Sequence, residues 1–257
     1  MNLQELALKI DQHQQTGVEM DKITIENSRL TVEDAYKIQE LAVDEAIERG
    51  DSLVGWKMGL TSLAKQKSVG VDEAIYGRLT KSMELSEPVL HMKGLIHPRV
   101  EPELAFVLNK DLSGPDVTVR DVWAATECIF PALEVIDSRY KNFSFTLVDV
   151  VADNASSTKF YLGNQAFSPY HTSWEKMKVS MYRNGEKLQS GLGSDVLEHP
   201  VKSVVELVKM LSNSGHSLKA GMVVLAGGIT EAVNIYAGDR IEIYFDDLAE
   251  VKLEVKE

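Results

Sequence analysis

The spacing of apolar positions changes character once along the chain, near residue 50. Before that point it is helical: Ala35, Ile38, Leu41, Ala42 and Ile47 recur at three- and four-residue intervals. Thr31 followed by Asp34 resembles a capping box at the start of this helix, and Gly50 closes it. The opening stretch, MNLQELALKIDQHQQ, reads as an amphipathic helix and not as an export signal, since it lacks a cationic start and an apolar core. From Ser52 onward, short apolar runs punctuated by turn formers take over. LVGWKMG runs into a glycine turn, Leu104 to Leu108 is continuously apolar, and Ala132 to Asp137 is a further strand. Lys178 to Tyr182 and Glu186 to Gln189 flank Asn184-Gly185, a hairpin signal. Met222 to Ala226, Arg240 to Phe245 and Glu250 to Val255 read as late strands. A short helix from Thr118 through Cys128 and another over 201–213 interrupt them. The pattern predicts a helical segment over 1–50 and a β-rich core over 51–257, forming one continuous unit. The lack of regular strand–helix alternation argues against a Rossmann fold or TIM barrel and for an α+β fold with a mainly antiparallel or mixed β core.

Composition narrows the function classes. A net charge of −12 over 257 residues argues against a nucleic-acid surface, which needs basic patches. No run of about 18 apolar residues is present, so no membrane span is expected. The single cysteine, Cys128, has no internal disulfide partner, which fits a reducing cytoplasm. In its apolar helical setting it reads as a small core residue.

Chemistry concentrates in four places. Glu101 and Glu103 lie two apart in LIHPRVEPELAFVL, so on a strand they share a face. That spacing alone equally describes a solvated strand face. Glu134, however, is flanked by Ala132, Leu133, Val135 and Ile136, where a fully exposed acid is unexpected. Three carboxylates beside buried strands repel unless a cation sits between them, and hard oxygen ligands suit Mg²⁺ or Mn²⁺ over zinc. Lys57, between Trp56 and Met58, either snorkels to the surface or is a partly buried ammonium that binds a carboxylate or moves a proton, its pKa lowered by burial. VVADNASSTKF crowds Asp153, Asn154, Ser156, Ser157 and Thr158 after an apolar run; this is either a polar cap or a set of donors for an anionic ligand. Gly227 and Gly228 in VLAGGITEAV form a tight turn, or a backbone N–H cradle for an anion.

Taken together, GWKMGLTS, LIHPRVEPELAFVL, PALEVIDSRY, VVADNASSTKF and GGITEAV resemble segments found in this order in the 4-oxalocrotonate (2-oxo-3-hexenedioate) decarboxylases. Those enzymes belong with the 2-hydroxypentadienoate hydratases in the fumarylacetoacetate-hydrolase-like superfamily. The resemblance spans about residue 30 to the C-terminus. It implies a mixed β-roll or distorted barrel with a helical N-terminal portion, and a divalent metal, Mg²⁺ or Mn²⁺, on Glu101, Glu103 and Glu134. Lys57 matches the family's active-site lysine and Ser156 its serine near the substrate. Asp153, Asn154, Gly227, Gly228 and Ile75 are expected around the substrate, a 2-oxo dicarboxylate. Pro102 stands where the family more often has a small residue, so this strand is expected to be bulged or at an edge. Asp137, Ser157-Thr158, GGITEAV and Ile75 are spellings that favour a decarboxylase over the alternative, a 2-hydroxypenta-2,4-dienoate hydratase with the same metal site. Ile75 stands where hydratases usually place an acid that handles water, and an apolar residue suits a departing carboxylate. The implied reaction releases CO₂ from 2-oxohex-3-enedioate to give 2-hydroxypenta-2,4-dienoate during meta-cleavage breakdown of aromatic compounds. A cytoplasmic homo-oligomer in complex with its hydratase is implied as well.

Overall fold

The computed structural model describes residues 2–62, 66, 71 and 73–257. Three helices occupy the N-terminal part: α1 (Leu3–Thr16), α2 (Ile23–Glu26) and α3 (Val32–Glu48). Thr31 and Asp34 do form a reciprocal capping box at the start of α3, satisfying two of its free N–H groups. The same device opens α4 (Val119–Ala125) at Thr118 and Asp121, and α5 (Leu147–Ala152) at Thr146 and Asp149. The longest late helix is α6 (Pro200–Asn213). Ala7, Ile10, Ala35, Ile38 and Ala42 form a core with Val150 and Val151 of α5, which ties the N-terminal helices to the rest.

Two sheets make up the remainder. The larger contains β1 (Leu53–Gly59), β2 (Ile75–Thr80), β4 (Arg99–Leu108), β5 (Thr126–Ile136), β6 (Ser157–Leu162), β9 (Val223–Leu225) and β10 (Val233–Asn234), in the order β2-β1-β9-β4-β5-β6 with β10 beside β4. β1 and β9 run parallel and the other pairs antiparallel, so the sheet is mixed. The smaller sheet orders β3 (Val89–His91), β12 (Ala249–Lys256), β11 (Arg240–Phe245), β7 (Lys178–Arg183) and β8 (Glu186–Leu192). β7 and β8 join through Asn184 and Gly185, both at positive φ, as the hairpin signal requires. On β12, Val251, Leu253 and Val255 are buried and Glu250, Lys252 and Glu254 exposed. This apolar face meets Val100, Leu104, Phe106 and Leu133 of the larger sheet and Val204, Leu207, Val208 and Leu211 of α6 in one core. The α+β architecture with mixed sheets is the one the sequence implies.

Two local expectations need correction. Helix α4 ends at Ala125, and Cys128 lies on β5. A run of Thr126, Cys128, Ile129 and Phe130 is rich in residues that suit a pleated strand, and tertiary pairing with β4 takes it over. Pro102 is neither at an edge nor in a bulge: it pairs opposite Leu133 in a central strand. Its carbonyl accepts from Ile229 N, in the gap between β9 and β10 where no strand runs alongside β4. The missing N–H on that side therefore removes no ladder bond.

The edge strand β2 is capped by side-chain amides. Gln39 Nε2 donates to the carbonyls of Tyr76 and Val151, and Asn154 brackets Arg78, accepting from its N–H and donating to its carbonyl. These bonds satisfy backbone groups that an open edge would leave to another chain.

Candidate metal and catalytic centre

Strand register alone brings the site together. Lys57 of β1 pairs with Leu225 of β9, which pairs with Ala105 of β4. Glu103 and Glu101 sit two and four residues before Ala105 and share its face. Glu134 of β5 lies directly opposite Glu101. Three strands, β1, β4 and β5, with β9 between the first two, thus project three carboxylates and one ammonium from a single face, and all four residues are buried. One carboxylate oxygen from each glutamate lies within 4.8 Å of the others, a spacing that suits a shared cation.

The partners of these groups divide the oxygens into satisfied and free ones. Glu103 Oε2 accepts from Gly227 N at 2.7 Å, while Glu103 Oε1 is buried with no hydrogen bond. Ser157 Oγ donates to Glu134 Oε1 at 2.8 Å. Among the described residues, Glu134 Oε2 accepts no hydrogen bond and makes an ion pair with Lys57 Nζ, at 3.1 Å. Lys57 also donates to Ala155 O at 3.1 Å. Burial, reinforced by Glu134 and Glu101, pushes the Glu103 carboxyl well above the usual range. Burial likewise raises Glu134, against the pull of Lys57. A cluster that pushes its own acids up in this way, with a bare buried oxygen on Glu103, fits a hard divalent cation.

Lys57 departs from expectation in one respect. Burial works against its charge, but Glu134, Glu101 and Glu103 outweigh it, so its pKa is raised and not lowered. The Gly227–Gly228 turn does present an N–H, and that N–H is spent on Glu103. Gly227 sits at φ 112°, and a Cβ there would fall 2.3 Å from Thr61 Oγ1. Only glycine allows the turn to come this close.

The remaining candidates spread around this centre. Ile75 is buried opposite Gly59, in a cluster that includes Ala155 and touches Leu60. A Cβ on Gly59 would lie 3.2 Å from Ile75 and 3.7 Å from Lys57 Nζ, so Ile75 forms an apolar wall beside the lysine. Ser156 Oγ is buried without a partner. Asn154 spends its amide on Arg78, and Asp153 pairs with Arg139; both hold the turn that carries Ala155 and Ser156. Sequence reasoning did not assign Arg139, for which an arginine five residues past Glu134 was the available signal, and it grouped Ser157 with the donors for an anionic ligand without placing it on Glu134. A broad groove of about 1690 Å³ passes Thr61 and Gly228, but its lining includes neither Lys57 nor the acids. Tyr76 and Arg78, which line it, lie on the opposite face of β2 from Ile75.

The family profile described as fumarylacetoacetate (FAA) hydrolase C-terminal matches residues 60–256. A 4-oxalocrotonate decarboxylase of Pseudomonas putida is 39% identical over 247 residues, covering 96% of this chain and 94% of its own. A 2-hydroxyhexa-2,4-dienoate hydratase of Comamonas testosteroni is 37% identical over 238 residues, covering 91% and 90%. The solved structure of the 4-oxalocrotonate decarboxylase from Pseudomonas putida G7, complexed with magnesium and adipate, superposes with a TM-score of 0.95 at 37% identity, over 98% of this chain and 97% of that one.

Proposed function

The chain belongs to the fumarylacetoacetate hydrolase family, and from that premise we propose that it is a divalent-metal-dependent carboxy-lyase that converts 2-oxohex-3-enedioate to 2-hydroxypenta-2,4-dienoate and CO₂. The observation that carries the choice of decarboxylation is the apolar wall beside Lys57, where Ile75 is buried against Gly59. A hydratase needs a group to activate or deliver water; a departing carboxylate is favoured by its exclusion. Adipate, bound by the relative of known structure, is a six-carbon dicarboxylate of the same length as this substrate.

Glu101, Glu103 and Glu134 would hold Mg²⁺ or Mn²⁺. Bound there, the ion would supply Lewis-acid chemistry for the charge that develops as CO₂ leaves. In the reaction the C5–C6 bond breaks and its electrons shift to form a C4–C5 double bond. The former C3–C4 double bond moves to C2–C3, and the 2-oxo oxygen gains the charge and then a proton. Lys57 holds the substrate anion or supplies that proton from its Nζ. Ser156 offers its free hydroxyl to substrate, and Ile75 keeps water from the leaving carboxylate. Asp153 and Asn154 act on the substrate through the turn that they hold. Gly227 acts through Glu103, and Gly228 continues that turn beside the groove. Because the dienol product is unstable, we propose association with the hydratase that consumes it, in a cytoplasmic homo-oligomer. The test offers the Mg²⁺-loaded protein both substrates. CO₂ from 2-oxohex-3-enedioate with no loss of the ultraviolet absorbance of 2-hydroxypenta-2,4-dienoate is expected; the reverse pattern makes it a hydratase.

A further inference from the structure

The turn beside the metal centre is held in an unfavourable backbone state. Asn154, Ala155 and Ser156 have φ of 51°, 51° and 57°, three consecutive non-glycine residues in the left-handed region. Such a turn persists only where its surroundings over-determine it. Its middle residue and the residue that follows it reach the site: Ala155 O accepts from Lys57 Nζ, and Ser157 Oγ donates to Glu134 Oε1.

One side chain grips this turn from several directions. Arg139 is 2% exposed and its partner Asp153 is fully buried. Arg139 donates from its backbone N–H to Asp153 Oδ2 at 3.1 Å, from Nε to Asp153 Oδ1, and from Nη2 to the Asp153 carbonyl. That carbonyl also accepts from Ser156 N at 2.9 Å, closing the turn. Nη1 reaches the carbonyls of Asp137 at 2.7 Å and Ser157 at 3.3 Å, and Thr158 Oγ1 at 3.2 Å. The guanidinium therefore binds the residue before the turn and the two after it, and ties both to the chain leaving Glu134. Asp137 in turn accepts from the N–H groups of Ile96 and His97, just upstream of the strand that carries Glu101 and Glu103.

We propose that Arg139 and Asp153 are a positioning pair for the metal centre: they lock the left-handed turn so that Ser157 orients Glu134 for the cation and Ala155 fixes Lys57. This rests on the reading of the three glutamates as a metal site. A pair that served folding alone would destabilise the protein when broken, so a lower melting temperature does not discriminate. Metal affinity, and its dependence on Ser157, does.

The experiment measures Mn²⁺ binding to the full-length protein without substrate, from the electron paramagnetic resonance of free Mn²⁺. The proteins compared are wild type, Arg139→Lys, Thr158→Val, Ser157→Ala and Arg139→Lys with Ser157→Ala. Loss of a group that orients a metal ligand commonly weakens binding about 10- to 100-fold. Acting one step further away, Arg139→Lys is expected to weaken Mn²⁺ binding roughly five- to tenfold. In the Ser157→Ala background the same substitution is expected to add about twofold or less, because the path to Glu134 is already cut. Thr158→Val, which removes one acceptor of the guanidinium, is expected to weaken binding about twofold or more and decides the matter if Arg139→Lys does not fold. Wild-type Mn²⁺ affinity in the folded variants overturns the proposal, as does an undiminished Arg139→Lys effect without Ser157. Failure of wild type itself to bind Mn²⁺ overturns the metal-site reading beneath it.

Discussion

Replacing Glu103 by glutamine tests the logic of the buried trio, because two opposing effects are predicted in one variant. Glu103 is fully buried, shares a 4.8 Å neighbourhood with Glu101 and Glu134, and has Oε1 without a partner. Two charges at that separation interact by about 3.5 kcal/mol at an effective dielectric constant of about 20. Burial first, then repulsion from Glu134 and Glu101 that outweighs the attraction of Lys57, disfavours the charge on Glu103 in the metal-free protein. Against this, the charged Glu103 gains about 1.5–3 kcal/mol from the Gly227 N–H, part of which a neutral amide oxygen retains. Metal-free Glu103→Gln should therefore melt at or above the temperature of metal-free wild type. Cation binding reverses the order. At a concentration 100 times its dissociation constant, a ligand stabilises by about 2.7 kcal/mol, a rise in Tm of roughly 5–10 °C for a chain of this size. Calorimetric scans of both proteins, chelated and then supplied with Mn²⁺, should show that shift in wild type and little or none in the variant. A full shift in Glu103→Gln, or a metal-free variant several degrees below wild type, would refute the reasoning.

Lys57→Met should lower kcat at least tenfold, about 1.4 kcal/mol of transition-state stabilisation, while the Mn²⁺-induced rise in Tm persists; unchanged turnover would remove Lys57 from the mechanism. Gly77→Ala places a Cβ 2.7 Å from Asn154 O and 3.1 Å from Asn154 Oδ1, so urea unfolding should show a loss of about 1–3 kcal/mol, and an unchanged midpoint would mean that the turn yields freely. Burial disfavours the charge of Asp51, but hydrogen bonds from Ser82, Thr80 and Ser52 outweigh it and hold the carboxyl at about 2. Its folded value lies below the unfolded value of about 3.9, so its stabilisation is present above pH ~4 and lost as pH falls through about 2. The stability deficit of Asp51→Asn, measured by urea unfolding, should narrow across that window, and a constant deficit would contradict the assignment.

What the sequence made legible at this site was local. Glu101 and Glu103 share a face because they are two apart on a strand, and the apolar flanks of Glu134 betrayed its burial. The capping boxes and the Asn184-Gly185 hairpin are equally short-range. What stayed hidden depends on register between distant segments. Nothing near Lys57 says that it will face Glu134, or that Ala155, 98 residues away, will receive its proton donor. The direction of its pKa shift followed from that arrangement: burial alone argues for lowering, and three neighbouring carboxylates reverse it. Pro102 misled because a proline breaks a continuous ladder, while here it falls in the gap between β9 and β10, where β4 has no ladder partner on that side. Ser157 and Ser156 could not be told apart by composition; the left-handed turn sends one hydroxyl to Glu134 and leaves the other free.

We propose that the glutamate trio holds a cation on which loss of CO₂ depends. The most direct test of this is CO₂ release from 2-oxohex-3-enedioate by the purified protein, first stripped with a chelator and then supplied with Mg²⁺. Release that falls to the background rate on chelation and returns with Mg²⁺ is the predicted result. Release indifferent to chelation, or none with Mg²⁺ restored, would contradict the account.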